Sequence, residues 1–237
     1  MTLRPFRYGN HPLPTTGIPT DVELWLIDGP PAGDSADILD TAERARLHSF
    51  VRDRDRVRYR SAHLALRFLL GAYLDLDPRT VALTRAPCLT CGGPHGRPVV
   101  EPSAGVGQVP YFSLSYAGDL VLFAFAAVPV GVDAEQVPSP ATAAAVARLL
   151  HPRERAELSA LPQHERPAAF ARCWARKEAC LKATGQGLAE GAAEPYVGCG
   201  RHASAPGGWM VHDLAPRPGT AAALASWAGP GAALPGP

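Results

Sequence analysis

The chain has 237 residues, of which 46% are hydrophobic and 19% charged, and its formal net charge is +1. So even a balance gives no long-range field for nucleic acid or an anionic membrane surface, and no run approaches the roughly eighteen apolar residues of a spanning helix. Five cysteines at irregular spacing make no disulfide framework and point to a reducing cytoplasm.

Met1 to Asn10 carries arginines without an apolar core, so no signal peptide is expected. Residues 1–20 read as coil. Val22 to Ile27 alternate enough for a strand, closed by Asp28-Gly29-Pro30. Asp40 or Thr41 can cap a helix running to Phe50. A longer helix follows over Asp53–Leu74, where Val57, Leu64, Leu66, Phe68, Leu69, Leu70 and Tyr73 supply a broad buried face. Arginines at 52, 54, 56, 58 and 60 crowd its start, with Asp53 and Asp55 among them. That pattern suits a solvated face with local ion pairs. It also suits an anion site, because arginine forks match phosphate geometry.

Cys88-x-x-Cys91-Gly92-Gly93-Pro94-His95 resembles half a zinc site. A structural zinc takes four ligands, and no matching Cys/His pair follows at zinc-finger spacing, so Cys88 and Cys91 are not expected to be essential metal ligands. Tyr111–Ala117 reads as a strand. Leu120 to Val130 reads as a strand and a short turn at Pro129, leading into a further strand that ends Gly131-Val132-Asp133-Ala134-Glu135. Alternate strand residues share a face, so Asp133 and Glu135 lie side by side, opposite Val132 and Ala134. Two such carboxylates repel unless a cation or proton sits between them. Pro138 and Pro140 end the strand, and helices are expected over Ala141–Leu150, up to Leu161-Pro162, and from Pro167 onward. Trp209–Leu214 and Thr220–Trp227 read as strands, and Gly229–Pro237 as a mobile tail.

The helix that ends in Trp174-Ala-Arg-Lys-Glu-Ala-Cys-Leu-Lys-Ala-Thr-Gly-Gln-Gly-Leu188 stands out. Lys177 and Lys182 are the only lysines, against 21 arginines. Lysine is a compact point charge where arginine is a wide fork. Trp174, Glu178 and Lys182 fall at i, i+4 and i+8, on one stripe of a helix, and Gly185 and Gly187 supply a stop.

Together, Gly131-Val132-Asp133-x-Glu135 and Trp174-x-x-Lys177-Glu178-x-x-x-Lys182-x-x-Gly185-x-Gly187-Leu188 resemble the two motifs of the Sfp-type 4′-phosphopantetheinyl transferases, in the same order. The resemblance implies an α+β fold, a pseudo-dimer of two similar halves with the active site in the cleft between them. It divides the chain into 1–129, for the nucleotide of coenzyme A, and 130–228, for metal and catalysis, with 229–237 as the tail. Mg²⁺ would lie on Asp133, Glu135 and Glu178. Glu178 would serve as base, and Lys182 would neutralise the phosphate of the leaving group. Coenzyme A would meet Arg46, Arg58, Ser115, Lys177 and Lys182, and also Arg97, which stands where the family has Gly-Lys-Pro. Tyr116 occupies the place of the family's phosphate-binding histidine; it can donate one hydrogen bond but carries no charge. A family lysine falls on Glu43, with Arg44 as its substitute. The implied partners are coenzyme A and apo acyl or peptidyl carrier proteins, served by a cytoplasmic monomer. A non-catalytic relative that holds coenzyme A or a carrier protein is the alternative.

Overall fold

A computed structural model describes residues 2–8, 13–28, 36–89, 91–101, 107–186 and 192–229. Strands β1 (Leu3–Pro5), β2 (Glu23–Asp28), β5 (Tyr111–Ala117) and β6 (Leu120–Ala126) form one sheet in the order β1-β2-β6-β5. Strands β7 (Val130–Gln136), β8 (Trp209–Leu214) and β9 (Thr220–Trp227) form a second, ordered β7-β9-β8. A small hairpin pairs β3 (Leu83–Arg85) with β4 (Pro98–Val100). Every pairing is antiparallel except β1 with β2. The helices are α1 (Thr41–His48), α2 (Asp53–Leu74), α3 (Pro140–Ala147), α4 (Pro152–Ala160) and α5 (Arg166–Thr184).

The strand sequences dictate how these pieces stack. All seven residues of β6 are buried, and side chains alternate across a strand. Val121, Phe123 and Phe125 therefore join Ala62, Leu66, Leu69 and Tyr73 beneath α2. Leu120, Leu122 and Ala124 face the other way and pack against Val132, Ala134, Ala222 and Leu224 of the second sheet. Ala223 and Ala225 of β9 then meet Ala175, Ala179 and Ala183 of α5. The core is thus four layers: α2, sheet, sheet, α5. The edge strands β5 and β7 meet through side chains: the hydroxyls of Ser113 and Ser115 accept the backbone N–H groups of Val132 and Ala134, at 3.0 and 3.2 Å.

Local signals set most boundaries. Asp40 caps α1 in a reciprocal capping box with Glu43, though α1 ends at His48, short of Phe50. Helix α2 runs over the expected residues, and its C-cap is Asp75 in the left-handed region. Its buried face is narrower than expected, because Val57 is exposed and Phe68 only half-buried. Gly185, at φ 79°, closes α5. Gly187, Leu188, Gly29, Pro30 and the tail beyond Gly229 lie outside the described residues. One expectation needs correction: residues 1–20 are not all coil, since β1 pairs with Leu24–Leu26. The β3–β4 hairpin was not anticipated, since strands of three residues carry too little alternation to be read from a sequence.

The tightest contact lies between β7 and α5. A Cβ placed on Gly131 would lie 2.0 Å from the Ala179 carbonyl oxygen and 2.5 Å from the Ala183 nitrogen. Glycine is needed there because backbone meets backbone, and a helix main chain cannot rotate aside. Gly131→Ala is expected to destabilise the chain by about 3 kcal/mol or more, the upper end for overpacking, in urea unfolding monitored by circular dichroism. A change within about 0.5 kcal/mol, as at an ordinary surface site, would show that the helix can give way.

Candidate active site

Gly131, Asp133 and Glu135 share the face of β7 turned toward α5, and the Trp174–Glu178–Lys182 stripe of α5 comes down onto it. Asp133 is 3% exposed. Its Oδ1 accepts hydrogen bonds from the Ser115 hydroxyl at 2.7 Å and from Lys182 Nζ at 2.6 Å. Its Oδ2 is buried with no hydrogen-bond partner. Lys182 also reaches the carbonyls of Leu114 at 3.4 Å and Val132 at 3.3 Å, and 31% of its side chain remains exposed. The Trp174 side chain lies beside Glu135 and slightly opposes the rise in its proton affinity.

The three carboxylates load one another electrostatically. Burial first, then the charges of Asp133 and Glu178, push Glu135 up to about 7. Burial and Asp133 raise Glu178. Burial raises Asp133 as well, against the opposing pull of Lys182 and Ser115. Three acidic groups thus share one neighbouring ammonium, with one buried oxygen unpaired. Such a donor set fits a hard divalent cation, which takes carboxylate oxygens. The three couple electrostatically, but their oxygens do not all converge within 4.8 Å. Among the described residues, the one group of three or more His, Cys, Asp or Glu ligand atoms that does so is Cys88, Cys91 and His95.

A cleft of about 280 Å³ opens beside Lys182. Arg97, Ser113, Leu114, Leu181 and Gly185 line it, so residues from both sequence halves meet there. Arg97 donates to the Ala183 carbonyl at the end of α5, at 3.1 Å, with its guanidinium 5.4 Å from the centre of the Tyr111 ring. A second basic group lies on the α2 side. Arg58 sits 5.5 Å over the Tyr116 ring, paired with Asp55 at 3.0 Å and with the Gly118 carbonyl at 3.4 Å. Burial pushes the Tyr116 hydroxyl up to about 12, against Arg58 and Arg85. Exposed Arg46 lies over Phe50, and its charge reaches Tyr59, which also feels Tyr116. Arg46, Arg58 and Tyr116 are therefore gathered, but none of them lines the cleft beside Lys182.

Two residues expected to contact coenzyme A are buried and already partnered. Lys177 is 0% exposed and pairs with the fully buried Glu154 at 2.8 Å, its ammonium also bonded to the Pro195 carbonyl. Position 177 is about 100° around the helix from 178, so it turns into the interior while Glu178 turns to the cluster. Ser115 is 5% exposed, with its hydroxyl proton on Asp133 and its oxygen accepting from Ala134; it orients the carboxylate and does not face solvent. Arg44 likewise turns back to the Leu39 carbonyl and Thr41, and Glu43 is buried between His63 and Arg67. Ser113, Arg85 and Glu154 take part without having been expected to. A strand serine that accepts from a neighbouring strand has no local signature. Glu154 did have one, three residues after His151 in a capping box.

Comparison with known proteins identifies the class. The model of the 4′-phosphopantetheinyl transferase superfamily matches residues 129–199, which span the three carboxylates and both lysines. A putative 4′-phosphopantetheinyl transferase of Synechocystis sp. (slr0495) is 30% identical over 173 residues, covering 71% of this chain and 67% of that protein. The 4′-phosphopantetheinyl transferase HetI of Nostoc sp. is 32% identical over 177 residues, covering 72% and 71%. The 4′-phosphopantetheinyl transferase psf-1 of Bacillus pumilus is 35% identical over 99 residues, covering 41% and 40%. This chain is a transferase. It belongs to the 4′-phosphopantetheinyl transferase superfamily. Among the described residues no helix is long and apolar enough to cross a membrane.

Two measurements test the electrostatics. Lys177→Met strands the Glu154 charge in the interior, so a loss of about 3–5 kcal/mol is expected in denaturant unfolding; unchanged stability with lost coenzyme A affinity would return Lys177 to the ligand. For Glu135, the folded value of about 7 lies above the ordinary 4.5. The folded chain therefore holds a proton that the unfolded chain releases, and this contribution to stability, full below 4.5, is lost as pH rises through about 7. The unfolding midpoint of chelator-treated protein should fall across that window, and Glu135→Gln should flatten the fall. A parallel slope in the variant would place the titration elsewhere.

Proposed function

We propose that this transferase moves 4′-phosphopantetheine from coenzyme A to a serine hydroxyl of an acyl or peptidyl carrier protein, in a Mg²⁺-dependent reaction that releases adenosine 3′,5′-bisphosphate. The observation that carries this reading is the acidic cluster itself: Asp133 with a buried, unpaired oxygen, beside Lys182, at the junction of β7 and α5. The two helix-on-sheet units are read as the halves of a pseudo-dimer, with substrate in the cleft between them.

Asp133, Glu135 and Glu178 would hold the magnesium ion, which when bound supplies charge withdrawal from the pyrophosphate oxygens. Glu178 takes the serine proton; its raised affinity for protons makes it a stronger base than an exposed glutamate. The serine oxygen forms its bond to the phosphorus that bears pantetheine, and the bond from that phosphorus to the bridging oxygen breaks. Lys182 neutralises the negative charge left on the departing nucleotide phosphate. Arg97 approaches the same cleft and binds the nucleotide portion, with Arg46, Arg58 and Tyr116 as its further contacts on the α2 side. Ser115 holds Asp133 and Trp174 lies beside Glu135, and neither is assigned a substrate contact.

The reaction is tested by incubating the chain with coenzyme A, Mg²⁺ and a panel of apo carrier proteins and weighing the products. Modified carriers should gain the mass of one phosphopantetheine group. Glu178→Gln is expected to lose turnover by about 10²-fold or more, the usual contribution of a positioned base, with coenzyme A affinity within about threefold, or ~0.6 kcal/mol. Excess Mg²⁺ should partly rescue Asp133→Asn and Glu135→Gln but not Glu178→Gln. Near-normal turnover in Glu178→Gln would sink the mechanism, and equal rescue of all three would make Glu178 a ligand only.

A further inference from the structure

We propose that Cys88, Cys91 and His95 form a second cation site, specific for a thiophilic divalent ion, Zn²⁺, with two thiolates and one imidazole as protein ligands and a fourth position open. Nothing in the transfer reaction uses these residues, and their chemistry differs from that of the carboxylate cluster. Sulfur and imidazole nitrogen select zinc, whereas carboxylate oxygens suit magnesium.

The geometry is close to that of a loaded site. The two sulfur atoms and a ring nitrogen lie within 4.8 Å of one another. Cys91 Sγ and His95 Nε2 are 2.9 Å apart. Bond lengths to tetrahedral zinc put a thiolate and an imidazole nitrogen about 3.5 Å apart, so this pair would open by about 0.6 Å. Cys91 and His95 are exposed and Cys88 half-buried, which leaves the side chains room to adjust. Neither cysteine is in a disulfide.

The loop that carries the ligands is curled by its own backbone. Cys88 N–H donates to the Gly93 carbonyl at 2.8 Å, Gly92 N–H to the Cys88 carbonyl at 2.7 Å, and His95 N–H to the Gly93 carbonyl at 2.8 Å. Gly92 has φ +73°, a left-handed turn just after the second cysteine that brings the chain back toward the first. The stem is closed by Ala86 N–H to Arg97 at 3.0 Å and Gly96 N–H to Ala86 at 2.9 Å. A Cβ at Gly96 would lie 2.4 Å from the Ala86 oxygen, so this close approach requires glycine.

The sequence offers no fourth protein ligand at zinc-finger spacing for a closed structural zinc. Three ligands with an open position make a different kind of site, one that exchanges its fourth ligand. Its place supports this. Cys88 and His95 line the cleft that also holds Lys182 and Arg97, and an ion there would fix the segment between Ala86 and Arg97. The remaining cysteines, 173, 180 and 199, are buried, and burial pushes the Cys180 thiol up to about 12, so they do not compete.

The test uses the full chain, reduced and freed of metal. Zn²⁺ is titrated in competition with a chromophoric chelator, and Co²⁺ is added separately to read thiolate-to-cobalt absorption and tetrahedral ligand-field bands. One zinc per chain is expected, tighter than micromolar. Cys91→Ser and His95→Ala should each weaken it by tenfold or more, with His202→Ala as an unaffected control and near-UV circular dichroism confirming the folds. Should a variant misfold, the cobalt spectrum of the unaltered chain decides alone. The proposal is overturned by the absence of thiolate-to-cobalt bands, by zinc binding that survives both substitutions, or by a Cys88–Cys91 disulfide that forms in place of the metal complex.

Discussion

The contact of α5 with β7 is the constraint on which the site depends. Asp133 stands on a buried strand and Lys182 on a helix 49 residues later, and their 2.6 Å bond exists only because the two backbones approach so closely. Gly131 permits that approach, and the alanines at 175, 179 and 183 keep the helix face flat. The stripe of α5 then brings Lys182 onto Asp133 and the charge of Glu178 close to Asp133 and Glu135. A larger residue anywhere in this seam would lift the helix and separate the charges before it touched any chemistry.

That seam must resist the repulsion it creates. Three carboxylates in a half-buried setting, each with its proton affinity raised, oppose close packing of the elements that bear them. The opposing forces lie outside the cluster. Arg176, fully buried, holds Asp213 of β8 and the carbonyls of Gly198 and Gly200. Lys177 holds Glu154, whose carboxylate also accepts from Val197 and Gly198. The helix that presents the reactive face is thus fastened through its opposite face. In the other half, buried Arg67 does the same for α2, gathering Glu43, Asp40 and the carbonyls of Pro78 and Val81. Breaking such a buried pair leaves an uncompensated charge, so these ties hold position strongly even where they add little net stability.

Much of this was legible in the chain. Strand alternation was enough to place Asp133 and Glu135 on one face, and the i, i+4, i+8 stripe to place Glu178 and Lys182 on one side of a helix, because both rest on backbone periodicity alone; that the two surfaces meet was implied only by the family resemblance. The scarcity of lysine covers two different settings. Lys182 faces the acidic cluster, whereas Lys177 is a buried counter-ion, and only the helical angle between 177 and 178 separates them. The arginine run at the start of α2 divides likewise. Arg56 is used in a local pair with Asp53, the bland alternative, while Arg58 is drawn over Tyr116. Ser113 and Ser115 could not be read as ties between sheets, since nothing local announces which strand edge lies opposite. The role of the Cys88–His95 loop depends on three ligand atoms converging, which spacing alone does not establish.

The separation of the basic residues into two groups has a physical logic. A nucleotide with a pyrophosphate bears its charge at several points, and a single pocket that neutralised all of them would bind ground state and transition state alike. Arg46, Arg58 and Tyr116 stand apart from the cleft of Lys182 and Arg97, so in the proposed reaction much of the nucleotide's charge would be met away from Lys182. Arginine suits that task, where bidentate, always-charged contacts give uniform affinity. Lysine suits the cleft, where a compact ammonium already shares a narrow space with Asp133 and two carbonyls. The one lysine the chain keeps at its acidic cluster is therefore where a guanidinium would fit worst.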